Sequence, residues 1–247
     1  MRGRGHRRLL VGLAILATPA SAPAYWSGGG AGSGSTAVAT MPAGAQPAGS
    51  AAAQSVTVSW PQSTFLVSRL GTYDGGGYAI RRYAEGSTTA VPACTSTGGA
   101  AAVLQCTEPG VPYGRWQFTV TPVLHSLTGA ESAKSAVVTV APGAPVLDEV
   151  VAQSPTSTQT TGDIALDWQP VPGATGYNVY RRTAGGAYGA PLNGATPLSA
   201  TAYTDAGGGL TATSYEYVVR AVAAAVESAS SNAISATATA ARPAVLT

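Results

Sequence analysis

The stretch ALDWQPVPGATGYNVYRR, residues 165–182, reads as two β-strands joined by a turn. Ile164, Leu166 and Trp168 alternate with Ala165 and Asp167, as in a strand with one face in a core and one in water. The run Pro170-Val171-Pro172-Gly173 ends that strand. GYNVYRR at 176–182 then begins another, and downstream Tyr215, Tyr217 and Val219 supply a third alternating set.

The same series occurs earlier in the chain. Val56, Val58 and Trp60 correspond to Ile164, Leu166 and Trp168; GYAIRRY at 77–83 corresponds to GYNVYRR; Trp116, Phe118 and Val120 correspond to Tyr215, Tyr217 and Val219. Glu131-Ser132-Ala133 matches Glu227-Ser228-Ala229 before each closing strand, the first of which is expected at Ser135–Val140. The offsets are 108, 99, 99 and 96 residues, so the repeating unit is a domain rather than a solenoid turn. Long helical patterns are absent, and short Val/Thr/Tyr-rich segments are broken by 31 glycines and 17 prolines. An all-β chain of two domains is expected.

The second unit resembles fibronectin type III. ALDWQPVPGATGYNVYRR is similar to that family's strand B, turn and strand C, and LTATSYEYVVRAV at 210–222 to its E–F corner and strand F. The resemblance implies two tandem immunoglobulin-like (fibronectin type III) β-sandwiches, with Trp60, Trp116, Trp168, Tyr177 and Tyr215 as core or corner residues. It places Tyr215 at the corner tyrosine, whose hydroxyl bonds back to the main chain. The first unit departs from the pattern: Trp116 takes the corner position without a hydroxyl, Tyr113 lies nearby, and residues 61–76 enlarge the loop between strands B and C.

Met1 to Arg8 is basic and Leu9 to Thr18 is apolar, followed by A-x-A sites ending at Ala22 and Ala24: a secretory leader, with cleavage expected after Ala24. The apolar run is shorter than the roughly 20 residues of a membrane span, and no transmembrane segment is expected in the mature chain. Four of the arginines (Arg2, Arg4, Arg7, Arg8) lie in the leader; without them the formal charge of +2 becomes −2, which leaves no basic footprint for nucleic acid. The expected divisions are a signal segment at 1–24, a Gly/Ala/Ser/Pro-rich tether at 25–54, a first domain at 55–142 and a second at 143–247. Within the tether, Ser35–Thr40 alternates weakly. Ala24-Tyr25-Trp26 and the Gly/Ser run after it resemble secreted Gram-positive surface proteins that carry fibronectin-like repeats, which implies a structural role at the cell surface.

In an exported chain the only two cysteines, Cys94 and Cys106, are expected to form one disulfide closing a hairpin-like loop. Catalytic chemistry has little to build on. After the leader the only histidine is His125, in a turn-like LHSLTG, and no metal-ligand set or phosphate-binding loop occurs. The glycine runs at 75–77 and 207–209 precede strands or turns, not helices. Asp163 and Asp167, the nearest approach to a carboxylate pair, lie about 13 Å apart along a strand. Neither enzyme activity nor a cofactor or metal is expected. Each unit does carry an arginine pair beside a tyrosine: Arg81, Arg82 and Tyr83, and Tyr180, Arg181 and Arg182. These are candidate contacts for sugar rings or acidic polymers. The functional expectation is an extracellular spacer or adhesive module that meets protein or cell-wall polysaccharide, the alternative being an accessory module of polysaccharide degradation.

Overall fold

The computed structural model describes residues 40–63, 66, 76–97, 103–154, 161–206, 210–211 and 213–240. The leader, the glycines at 207–209 and most of the 61–76 loop lie outside the described residues, as does Ser35–Thr40 apart from Thr40 itself. Among the described residues, fifteen strands form two β-sandwiches in succession.

In the first, β1 (Ala48–Ala52), β2 (Ser55–Pro61) and β5 (Val103–Glu108) form one sheet in the order β1-β2-β5. The facing sheet runs β4-β3-β6-β7, from β3 (Gly76–Ala84), β4 (Ala90–Thr97), β6 (Gly114–Leu124) and β7 (Leu127–Thr128), with β8 (Val138–Val140) also on β6. In the second, β9 (Leu147–Ala152), β10 (Ile164–Trp168) and β12 (Ala202–Asp205) form the sheet β12-β10-β9. Opposite it lie β11 (Gly176–Thr183), β13 (Ser214–Ala223), β14 (Val226–Glu227) and β15 (Ile234–Thr237), with β13 at the centre. This is the expected tandem immunoglobulin-like sandwich.

Alternation along the strands fills each interior. Val56, Val58, Trp60, Ile80, Phe118 and Val120 pack in the first core; Ile164, Leu166, Trp168, Val179, Tyr217 and Val219 pack in the second. Trp60 and Trp168 are 1% and 3% exposed. Each meets the tyrosine that opens the next strand, Tyr78 at 5.4 Å and Tyr177 at 5.5 Å between ring centroids. Those tyrosines hold the intervening turn as well, since each hydroxyl accepts a 2.8 Å hydrogen bond from a main-chain N–H there, Ser63 for Tyr78 and Val171 for Tyr177.

Three sequence expectations need correction. First, the stretch 25–54 is not a tether throughout. From Met41 onward the chain belongs to the first sandwich: Met41 is buried in its core, the Gly44 N–H donates to the Ala130 carbonyl, and β1 pairs with β2. Ala- and Gly-rich composition concealed this strand because β1 buries almost nothing of its own and is held by main-chain bonds. Gly44 has no room for a side chain, as a Cβ there would stand 2.0 Å from the Val120 carbonyl oxygen.

Second, Cys94 and Cys106 are bonded but close no hairpin. Cys94 lies on β4 and Cys106 on β5, which belong to facing sheets, so the disulfide ties the two layers together. Third, the closing strand is regular only at Val138–Val140. Before it, the N–H groups of Ser132 and Ser135 donate to the carbonyls of Val120 and Phe118, while their hydroxyls accept the N–H groups of those same two residues. Ser228 and Ser231 do the same with Ala221 and Val219. Three residues of the edge thus match two of the neighbouring strand, and the serine Oγ replaces a carbonyl as acceptor. This interrupts the ladder that an exposed sheet edge would otherwise offer to another chain.

Candidate functional site

The arginine–tyrosine positions split between the interior and the outer face of each sandwich. Alternation on β3 turns Tyr78, Ile80 and Arg82 inward and Ala79, Arg81 and Tyr83 outward. Arg82 is 9% exposed and forms an ion pair with Glu108 of the opposite sheet. Its guanidinium also covers the Trp116 ring at 4.6 Å. The second sandwich repeats this at the equivalent positions: Arg181 bonds Asp205 at 2.7 Å and covers Tyr215 at 4.9 Å. The registers agree, because Val56 is paired with Glu108 as Ile164 is with Asp205. Each sandwich therefore carries one arginine bridging its two sheets under the corner aromatic.

The electrostatics of the two bridges differ. Burial pushes the Glu108 carboxyl above its usual range, against the pull of Arg82, and its Oε2 lacks a hydrogen-bond partner. In the second sandwich burial opposes the charge on Arg181, but the hydrogen bond and charge of Asp205 outweigh it and raise the guanidinium further. Tyr217, fully buried where the first sandwich has Phe118, also donates to Asp205 at 2.7 Å. Burial and that carboxylate push its phenol far up.

On the outer faces, Glu131 and Glu227 are the organising groups. Glu131 accepts from Tyr83 (2.6 Å) and Thr119 (2.5 Å), with Arg81 at 3.9 Å. Glu227 accepts from Tyr180 and Asn178, both at 2.5 Å, and pairs with Arg220 at 3.1 Å. Both carboxyls are held below the usual range; burial works the other way and these hydrogen bonds overcome it. Lys134 sits 4.4 Å over the Tyr83 ring and Arg220 sits 4.7 Å over Tyr180. Arg182 pairs with Glu216 and covers Tyr188 at 4.6 Å. The Tyr188 phenol is pushed up to about 12 by burial and by its bond to Glu216.

Of the six candidate surface residues, Tyr83 and Tyr180 are only 6% and 7% exposed, and Arg82 points into the sandwich. Lys134 and Arg220 already lie over the two tyrosine rings, little of which reaches the surface. Arg81 is the most exposed of the four arginines, with 53% of its side chain open. The carboxylates that complete these clusters lie at least seven residues away in sequence, and a single sequence does not display the strand register that brings them together. Glu131 and Glu227 could have been found, since both stand in the repeated Glu-Ser-Ala triplet.

The corners also differ from expectation. Tyr215 makes the corner bond, its hydroxyl accepting from the Thr211 N–H at 3.0 Å. Trp116 makes an equivalent one, its indole N–H donating to the Pro112 carbonyl at 2.9 Å, also four residues upstream. It is half-buried at the rim of the core. Tyr113 is consequently free to reach the other sandwich, where its hydroxyl donates to the Pro172 carbonyl at 3.2 Å. Its ring lies against Gly173, where a φ of +76° and a Cβ position 2.8 Å from the ring both require glycine.

His125 stands at the β6–β7 turn with φ 52°, and Asp163 and Asp167 lie before and on β10. Among the described residues no group of three or more His, Cys, Asp or Glu side chains is placed to hold a metal ion, and no helix is long and apolar enough to cross a membrane.

Strand order and site together define a tandem fibronectin type III-like β-sandwich protein. No family model and no curated protein matches the chain. Among solved structures it is similar to the FN1–FN3 domains of chicken CNTN1, at 18% identity over 79% of this chain and 66% of that one, with a TM-score of 0.33. It is also similar to an Fn3-like protein from Clostridium thermocellum, at 37% identity over 38% of this chain and 91% of that one, with a TM-score of 0.31.

Proposed function

We propose that the chain is exported and acts outside the cell as a non-catalytic spacer or protein-interaction module. Its units would be a leader at 1–24, a tether at 25–40 and sandwiches at 41–142 and 143–247. The observation that carries this reading is the internal closure of the repeated polar positions. Arg82, Arg181, Arg182, Tyr83 and Tyr180 each spend their charge or hydroxyl on a partner within the same sandwich. Side chains committed in this way hold a shape. They are not poised to bind a small ligand or to move a proton.

Two further features support a spacer outside the cell. The disulfide suits an oxidising compartment. The connection between β8 and β9 is the six residues Ala141–Val146, with Pro142 and Pro145 within it, and such a segment is short and stiff. The partner would be protein rather than polysaccharide, because the tyrosine rings that would stack on sugars are covered.

The test is fractionation of the producing cells with N-terminal sequencing, followed by incubation of the purified protein with insoluble cell-wall and plant polysaccharides. A processed chain in the medium or at the surface, not retained by the glycans, is the expected result. Retention on glycan would overturn the choice of partner, most directly if Arg81→Ala or Tyr180→Phe abolished it, and a cytoplasmic chain would overturn the location.

A further inference from the structure

We propose that β1, with its Met41 anchor, is an exchangeable strand, and that its partner is a second copy of this chain, each copy completing the other's first sandwich.

Strain in the connection is the first observation. β1 joins β2 through the two residues Ala53 and Gln54, and Ala53 has a φ of 52°. That left-handed backbone is where two-residue hairpins use glycine or asparagine, and an alanine there is disfavoured. Among the described residues, three other non-glycine residues share this conformation: His125, Ala224 and Ala225. They lie in turns between strands tied down on both sides, so their strain has no outlet. Ala53 differs because β1 is the first described strand of its sandwich, and extending that one connection releases Met41–Ala52 as one segment. Short, strained hinges of this kind favour exchange between identical chains.

The manner in which β1 is held is the second. Its residues Ala48-Gly49-Ser50-Ala51-Ala52 are exposed or half-buried, and the strand is fastened by ladder bonds along the Ala48↔Ser59 to Ala52↔Ser55 register. The apolar hold lies upstream, where Met41 is 4% exposed among the core residues. Withdrawal would leave an unpaired β2 edge and a Met-sized opening in the core.

The shape of that opening selects its occupant. It admits only a strand with glycine facing the Val120 carbonyl, where a Cβ would stand at 2.0 Å, and glycine again at Val138, where a Cβ would meet the side chain at 2.6 Å. The same strand must also carry an apolar anchor at the spacing from Met41 to Ala48. The segment of this chain from Met41 to Ala52 meets all three conditions, so a second copy fits where a foreign strand would clash. The native contacts are the same in the exchanged pair, and only the hinge differs.

The experiment uses the full chain in two forms. Deleting Ala53 and Gln54 removes the residues needed to turn back, so a folded dimer by light scattering is expected; a folded monomer overturns the proposal. The second form keeps the turn and places cysteines at the registered partners, Ser50→Cys with Thr57→Cys. It is unfolded, refolded at the highest attainable concentration, oxidised and separated under denaturing, non-reducing conditions. Covalent dimers are expected, and Ala53→Gly should reduce their share about tenfold by relieving the hinge. Links confined to single chains overturn the proposal, even if the deletion variant does not fold.

Discussion

The two sandwiches solve one structural problem by different means. In each, the strand that opposes the tryptophan strand must be tied to the far edge of the facing sheet. The registers Val58↔Cys106 and Leu166↔Tyr203 show that Cys106 and Tyr203 occupy equivalent places. In the first sandwich Cys106 is bonded to Cys94 on β4. In the second, no regular strand takes the place of β4; Leu192 and Leu198 instead hydrogen-bond Val179 and Tyr177 along the edge of β11, and the Tyr203 hydroxyl donates to the Leu192 carbonyl at 3.3 Å. One covalent bond stands where the other sandwich has a hydrogen bond, and the second adds Tyr217 to its buried arginine bridge. The tie can change its chemistry as long as it spans the same gap.

Removal of a shared element should produce the largest effect. Trp168→Ala empties the centre of the second core and should cost about 3–5 kcal/mol. The second thermal transition should be lost while the first remains; an unmoved second transition would break the equivalence of the two cores.

The bridges should separate the sandwiches next. Asp205→Ala strands both Arg181 and the Tyr217 hydroxyl and should cost about 3 kcal/mol. Glu108→Ala should cost less, because that carboxyl is already disfavoured by burial. Denaturant unfolding of both variants tests the order, and equal losses would count against it.

Acidity sharpens the same contrast. Glu131 and Glu227 have folded-state pKa values below their ordinary 4.5, so each contributes stability above that pH that is lost as pH falls through the lower value. Glu108 is raised and has the opposite sign: its contribution is present at low pH and lost as pH rises through its folded value. Acidification below about pH 4.5 should therefore weaken the second sandwich more steeply. In alkali the raised phenols of Tyr180, Tyr188, Tyr203 and Tyr217 face only Tyr83 in the first sandwich. Their stabilisation holds below the ordinary tyrosine value of 10.0 and fades above it, so the second sandwich should also lose more there. Melting curves from acid to alkali report both limbs; parallel curves would contradict the account.

Tyr203→Phe and Tyr113→Phe should have the smallest effects, about 0.5–1.5 kcal/mol each. The first should lower only the second transition. The second should lower either transition by a few degrees at most and loosen the angle between the sandwiches, visible as a broader distance distribution between spin labels.

Much of this was legible in the sequence, and the omissions have physical reasons. Period-two alternation around Trp60 and Trp168 exposes the core strands because apolar side chains must share one face. β1 escaped notice because a strand held by its main chain leaves no such pattern. The spacing of Cys94 and Cys106 suggests a local loop, yet the chain changes sheets between them, and spacing does not record that. Arg82 and Arg181 stood out as cations, whereas Glu108 and Asp205 became their partners only once register brought the opposite sheet across from them.

The central claim is that two independent sandwiches are closed at equivalent places, one by a covalent tie and the other without one. Calorimetry of the full chain with and without reductant tests it most directly. Two transitions are expected, and reductant should lower only that of the first sandwich, by the equivalent of about 3 kcal/mol; a shift of both transitions, or of neither, would contradict the account.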